Sequence, residues 1–112
     1  MIKLIFLYKN FIQVKKKYIK LSKNMVKLWK QIGQDIDGEA EDDESGYSVS
    51  LSSDGMTVAI GAPLNDGNGE DSGHVRVYQY NIDSNEWKQI GQDIDGEDKK
   101  DESGDSVSLS SD

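Results

Sequence analysis

The residues of this 112-residue chain best placed to do chemistry are its 21 Asp and Glu; it has one histidine and no cysteine. Two loops have spacing that suits a cation. In Asp66-Gly-Asn-Gly-Glu-Asp71, oxygen ligands stand at Asp66, Asn68 and Glu70, the alternate spacing of a loop wrapped around calcium. Asp71 follows, where such a loop would carry a turn-making glycine. Asp35-Ile-Asp-Gly-Glu39, with Asp42, Asp43 and Glu44 behind it, is denser in charge. The plainer reading of both is a solvated turn kept soluble by charge. No cofactor is expected, and calcium is the one ion these loops suggest. His74 opens a strand pattern and reads as a surface residue rather than a ligand or base. No serine or lysine has an identifiable base partner, and nothing sets two carboxylates across a cleft. An enzyme is not expected.

The elements that must position these residues repeat. Trp29–Asp54 returns as Trp87–Asp112, with differences only at Ala40/Asp98, Glu41/Lys99, Asp42/Lys100 and Tyr47/Asp105. Ligands common to both copies would be Asp35/Asp93, Asp37/Asp95 and Glu39/Glu97. A fixed period of this size marks stacked supersecondary units. Tyr47-Ser-Val-Ser-Leu51 alternates strictly and predicts a half-buried strand, with its serines as the polar face. Asp54-Gly55 predicts a tight hairpin into Thr57–Gly61, which Pro63 closes. Leu64–Gly73 is turn chemistry, 74–80 alternates again, and Glu86–Ile90 is a fourth strand. Val26–Ile32 is the equivalent strand before it. Trp29 and Trp87 recur as packing anchors between units. Four antiparallel strands per period give an all-β propeller blade, at about 45–95, with partial blades around it.

Charge divides the chain. Met1–Asn24 holds seven lysines and no acid, while the rest carries six basic and 21 acidic groups. An acidic body argues against nucleic acid as partner. We read 1–24 as a basic leader and 25–112 as the repeat region. The leader fits a mis-assigned start or an unstructured segment. Its apolar residues also permit a basic amphipathic helix at a membrane surface, or a degenerate signal or anchor.

Three segments, in order, resemble the FG-GAP repeat of integrin alpha-chain propellers: Gly46-Tyr47-Ser48-Val49, Ile60-Gly61-Ala62-Pro63, and Gly73-His-Val-Arg-Val-Tyr78, the last carrying Val75. The usual Phe-Gly is here Gly-Tyr. The resemblance implies an extracellular or cell-surface module that binds a protein or glycan. The calcium site typical of the family lies before its Gly-Ala-Pro strand. It is not carried over, because Ser52–Thr57 offers one carboxylate. The expected function is therefore a non-catalytic interaction or adhesion repeat within a larger propeller, packed on further blades in cis or in trans. The alternatives are a calcium-binding surface repeat, or a truncated structural fragment without a function of its own. Exposed sheet edges predict weak stability for the isolated chain, or its self-association.

Overall fold

Alternation places apolar side chains on one side of a pleated strand, and such strands are stable only when paired and covered. The computed structural model describes Ile5–Phe6 and residues 30–111, and contains no helix among them. β1 (Ile5–Phe6) and β2 (Lys30–Gln31) form a short antiparallel ladder of their own. The main sheet is β3 (Ser48–Leu51), β4 (Thr57–Ala62), β5 (His74–Asn81) and β6 (Glu86–Gln89), all antiparallel and in that order. β7 (Ile94–Asp95) pairs with the start of β5, on which β6 has already claimed the other end. The sheet is open: it is a blade, and it does not close on itself. The helix considered within 1–24 meets a strand at Ile5–Phe6. The rest of that segment lies outside the described residues, as do Trp29 and Val26–Leu28 of the expected fourth strand.

The turns follow from their residues. Ser52 opens the β3–β4 connection: its carbonyl accepts from Gly55 N at 2.9 Å, and Gly55 takes φ 73°, which a side chain would oppose. The connection runs from Ser52 to Met56, longer than a two-residue hairpin, because Asp54 turns its carboxylate onto Ser52 Oγ and Met56 N. Asn81 Oδ1 accepts from Asp83 N and Ser84 N and so folds the β5–β6 turn.

Register fixes the faces, since directly opposed residues share one. Val58 lies opposite Tyr78, Ile60 opposite Arg76, and Ala62 opposite His74. On this face Ile36, Val58, Ile60, Tyr78 and Trp87 form the core, with Ile32 and Tyr80 beside it. Val49 and Leu51 oppose Ile60 and Val58 and belong to the same face. They are nevertheless exposed, as is Tyr47 at 62 %. The half-buried strand read from Tyr47–Leu51 is corrected here: the segment that covers this face, around Ile32 and Ile36, packs over β4–β6 and leaves β3 bare. The end of the second copy, residues 104–111, lies on the opposite face. Ser48 Oγ donates to Gly104 O (2.6 Å), Leu109 N to Ser50 Oγ (3.0 Å), and Ser53 Oγ to Ser111 O (3.3 Å). The strand serines are thus the contact to the next repeat rather than a solvated face. Gly61 is needed there, because a Cβ at that position would collide with Gly104 O. The blade thus has residues 32–43 of the first copy over one face and residues 104–111 of the second against the other.

Candidate functional site

The core face is apolar at one end and polar at the other. The change happens along β5, where period two puts His74, Arg76 and Tyr78 on the side that packs inward. His74 is 1 % exposed and Arg76 is buried. The surface position expected for His74 is therefore corrected. The available signal was its register with Tyr78: a strand that buries Tyr78 buries the residues two and four before it.

The first copy closes this end from above. Arg76 Nη2 donates to the Asp37 carbonyl at 2.7 Å, and its Nη1 lies 3.9 Å from Glu39 Oε1. The Arg76 guanidinium also sits 5.7 Å from the centroid of the Tyr78 ring. Burial pushes the Tyr78 phenol above its ordinary range, against the opposing pull of Arg76. Asn65 Nδ2 donates to Asp43 Oδ2 at 2.7 Å and reaches Glu39 Oε2 at 3.4 Å. Asp43 also accepts from Ala40 N, which folds the acidic loop back on itself. The second copy closes the same end from the side. Asp93 stands between β6 and β7 and turns Oδ2 toward His74 Nδ1 at 3.7 Å; Glu39 Oε2 stands 3.8 Å from the same nitrogen. Three ligand-capable groups thus converge from the first copy, from β5 and from the second copy.

The other end is anchored by Trp87. Its indole Nε1 donates to Ile32 O at 3.1 Å, and its ring packs tilted against Tyr80 at 5.2 Å between centroids. The Gln34 side chain brackets the Trp87 backbone, accepting from its N (2.9 Å) and donating to its O (2.7 Å).

The residues singled out from sequence separate into groups. Glu39 joins the junction, and Asp37 does so through its carbonyl. Asp35 instead accepts from Gln31 Nε2, the same bond that Asp93 makes with Gln89. In the 64–73 loop, Asp66 Oδ1 accepts from Asp71 N, Asn68 donates to Gly96 O, and Glu70 lies 3.6 Å from Lys100 Nζ. These groups serve the loop and its contact with the second copy. Gly46, Gly61, Ala62, Pro63 and Gly73 shape the backbone around β3–β5, with Gly46 N donating to Gly61 O and Gly73 N to Asn65 O. An open groove of about 480 Å³ runs along the acidic loop from Asp37 to Ser45. His74 and Arg76 are what reading the sequence missed, and Asp93 entered it only as the repeat partner of Asp35.

No curated protein and no solved structure matches this chain. The family model described as FG-GAP repeat matches residues 35–78. The match opens on the acidic loop, takes in Glu39, the β3–β4 hairpin and His74, and ends at Tyr78 in β5. The three segments whose resemblance was noted all fall inside it. Over residues 35–78 the chain is therefore similar to the FG-GAP repeat.

Proposed function

We propose that this chain is a non-catalytic repeat of a β-propeller, that it packs between further blades, and that its loops bind a protein or glycan partner at a cell surface or outside the cell. The observation that carries the reading is that parts of two copies of one motif lie against the two faces of the blade. The hydrogen bonds from β3 and the turn after it to the second copy join residues 56, 59 and 58 positions apart, all near one repeat, and both numbers rise together along the seam. Such a seam runs parallel and can be repeated from one blade to the next around a ring. The open apolar row Tyr47, Val49 and Leu51 is what an adjoining blade would cover. Gln92, the equivalent of Gln34, is exposed and offers the same bracket to another tryptophan.

Sedimentation velocity tests the packing. The expected result is a discrete closed oligomer that loses its mass when Val49→Asp and Leu51→Asp are introduced together. A cooperative, monodisperse monomer would overturn it. Binding is tested by probing an array of glycans and surface-protein ectodomains with the assembled chain. The expected result is saturable binding that is lost on disassembly. A well-folded assembly that binds nothing on the array counts against an interaction module and favours a purely structural repeat.

A further inference from the structure

We propose that Glu39, His74 and Asp93 form a binding site for a divalent transition-metal ion of the zinc class, placed where the two copies of the repeat meet over β5. One ligand atom from each of the three lies within 4.8 Å of the others. Zinc bonds to His nitrogen and carboxylate oxygen are about 2.0–2.2 Å, so tetrahedral ligand atoms stand roughly 3.4 Å apart. The separations of 3.7 and 3.8 Å around His74 Nδ1 require a closing of only a few tenths of an ångström, while the two carboxylate oxygens, within 4.8 Å of each other, must draw together to the same spacing. Both carboxylates sit on side chains with room to make it, whereas the histidine is fixed in the interior.

The burial and aim of His74 also fit a bound ion. Its side chain is almost wholly enclosed, its Nδ1 is aimed between the two carboxylates, and neither separation is a hydrogen bond. An imidazolium serving as the partner of either carboxylate would draw it in to about 2.7–2.9 Å. The gap is the width of an ion. Its charge also suits a cation. Two carboxylates face it, and the one guanidinium nearby, Arg76, is held on the Asp37 carbonyl and on the far oxygen of Glu39.

The groups behind the ligands are already oriented. Gln89 Nε2 donates to Asp93 Oδ1 at 2.6 Å, which leaves Oδ2 as the oxygen turned to His74. Asn65 approaches Glu39 from the other side. Support of this kind behind ligating carboxylates is usual at metal sites. The donor set also selects the ion. Calcium takes six to eight oxygens, whereas one imidazole and two carboxylates with an open fourth position suit zinc, cobalt or nickel. Because Glu39 and Asp93 come from different copies, the site exists only when both flank the blade.

The test uses the full chain, titrated calorimetrically with zinc chloride and with calcium chloride, and followed by ¹⁵N NMR of the imidazole. The chain has a single histidine, so one ring reports the site without ambiguity. Zinc is expected to bind with one-to-one stoichiometry and to shift the His74 Nδ1 resonance to that of a ligated nitrogen; calcium is expected to leave the ring unmoved. His74→Gln and Asp93→Asn should abolish the zinc isotherm. Gln89→Ala should weaken it roughly 10–100-fold. Asp35→Asn alters the repeat partner of Asp93 and should leave binding unchanged. The proposal is overturned by an absence of saturable zinc binding, by zinc binding that leaves the ring unmoved, or by Asp35→Asn proving as harmful as Asp93→Asn. Should His74→Gln fail to fold, the ring signal and the Asp93/Asp35 pair decide the matter without it.

Discussion

The two copies of the motif have nearly the same residues and the same backbone, yet different surroundings. Gly33 and Gly91 take φ 67° and 74°, Asp42 and Lys100 67° and 62°, Glu44 and Glu102 55° and 51°, and Gly46 and Gly104 92° and 95°. Asp43 accepts from Ala40 N in the first copy, and Asp101 accepts from Asp98 N in the second. Three of the four substitutions between the copies fall within this loop and leave its path unchanged. Ile36, however, is 4 % exposed and its counterpart Ile94 is 58 % exposed. Local sequence sets the shape of the loop. Whether that shape ends in a core or at the surface is decided by what lies against it, and here only the first copy has the β4–β6 face beneath it.

The sharpest way to break this comparison is to truncate the paired isoleucines. Ile36→Ala removes a side chain from the cluster of Val58, Ile60, Tyr78 and Trp87 and should cost about 2–5 kcal/mol. Ile94→Ala, at a position exposed in the single chain, should stay within about 0.5 kcal/mol when chains are dissociated. Urea denaturation of both variants measures the difference. Equal costs would mean that the second copy is covered in solution as the first is, which is the state expected if chains assemble.

The paired glycines come next. Both have positive φ, so alanine at either costs roughly 1–2 kcal/mol of backbone strain. A Cβ at Gly33 would in addition lie 2.6 Å from Trp87 Cδ1, whereas Gly91 has nothing within 4 Å. Gly33→Ala should therefore exceed Gly91→Ala by about 1–3 kcal/mol, the usual cost of overpacking. The near-ultraviolet circular dichroism of the displaced Trp87 should change only in the first variant.

The paired glutamines give a smaller contrast. Gln34→Ala removes two hydrogen bonds to the Trp87 backbone and should cost about 1–2 kcal/mol. Gln92→Ala should be close to neutral in an isolated chain. Amide hydrogen exchange at Trp87 reads the first effect directly, because its N–H donates to Gln34 Oε1. Unchanged protection in Gln34→Ala would show that the bracket contributes nothing to holding the tryptophan.

These contrasts also show why sequence carried the fold further than the site. Strict alternation at Ser48–Leu51 and through β5, the Asp-Gly pair and Pro63 all act within a few residues, so the strands and turns were legible. The repeat itself announced that units stack. The choice of covered face was not legible, because the segment over β4–β6 comes from 22 to 51 residues away in the core contacts of Ile36, and nothing local to Tyr47, Val49 and Leu51 says that it misses β3. The junction failed to appear for the same reason. Glu39 and Asp93 belong to different copies, and His74 looked like a surface residue until its register with Tyr78 was known. In the acidic loop at Asp66–Asp71, spacing alone does not reveal that Asn68 and Glu70 meet Gly96 and Lys100 of the second copy.

The smallest effect expected is the response of the β3–β4 hairpin to acid. Ser52 Oγ and the Met56 amide both donate to Asp54 Oδ1, at 2.6 and 2.9 Å, and they hold its carboxyl below the ordinary value of 3.8. A carboxyl whose pKa is lowered by folding binds fewer protons in the native state than in the unfolded one. Its contribution to stability is therefore complete above the unfolded value and is lost as pH falls through the lower, folded one. The carboxylate is fully exposed, so water weakens both bonds and the contribution is slight. Asp54→Asn keeps an oxygen acceptor at the same place and removes the charge. Denaturation curves of the native chain and of this variant should thus lie apart at pH 6 and converge between pH 4 and pH 2. The other carboxylates of the acidic loops are common to both proteins and cancel in the difference. Curves that stay parallel throughout would mean that the hairpin is held by the Gly55 turn and the ladder alone, with Asp54 a bystander.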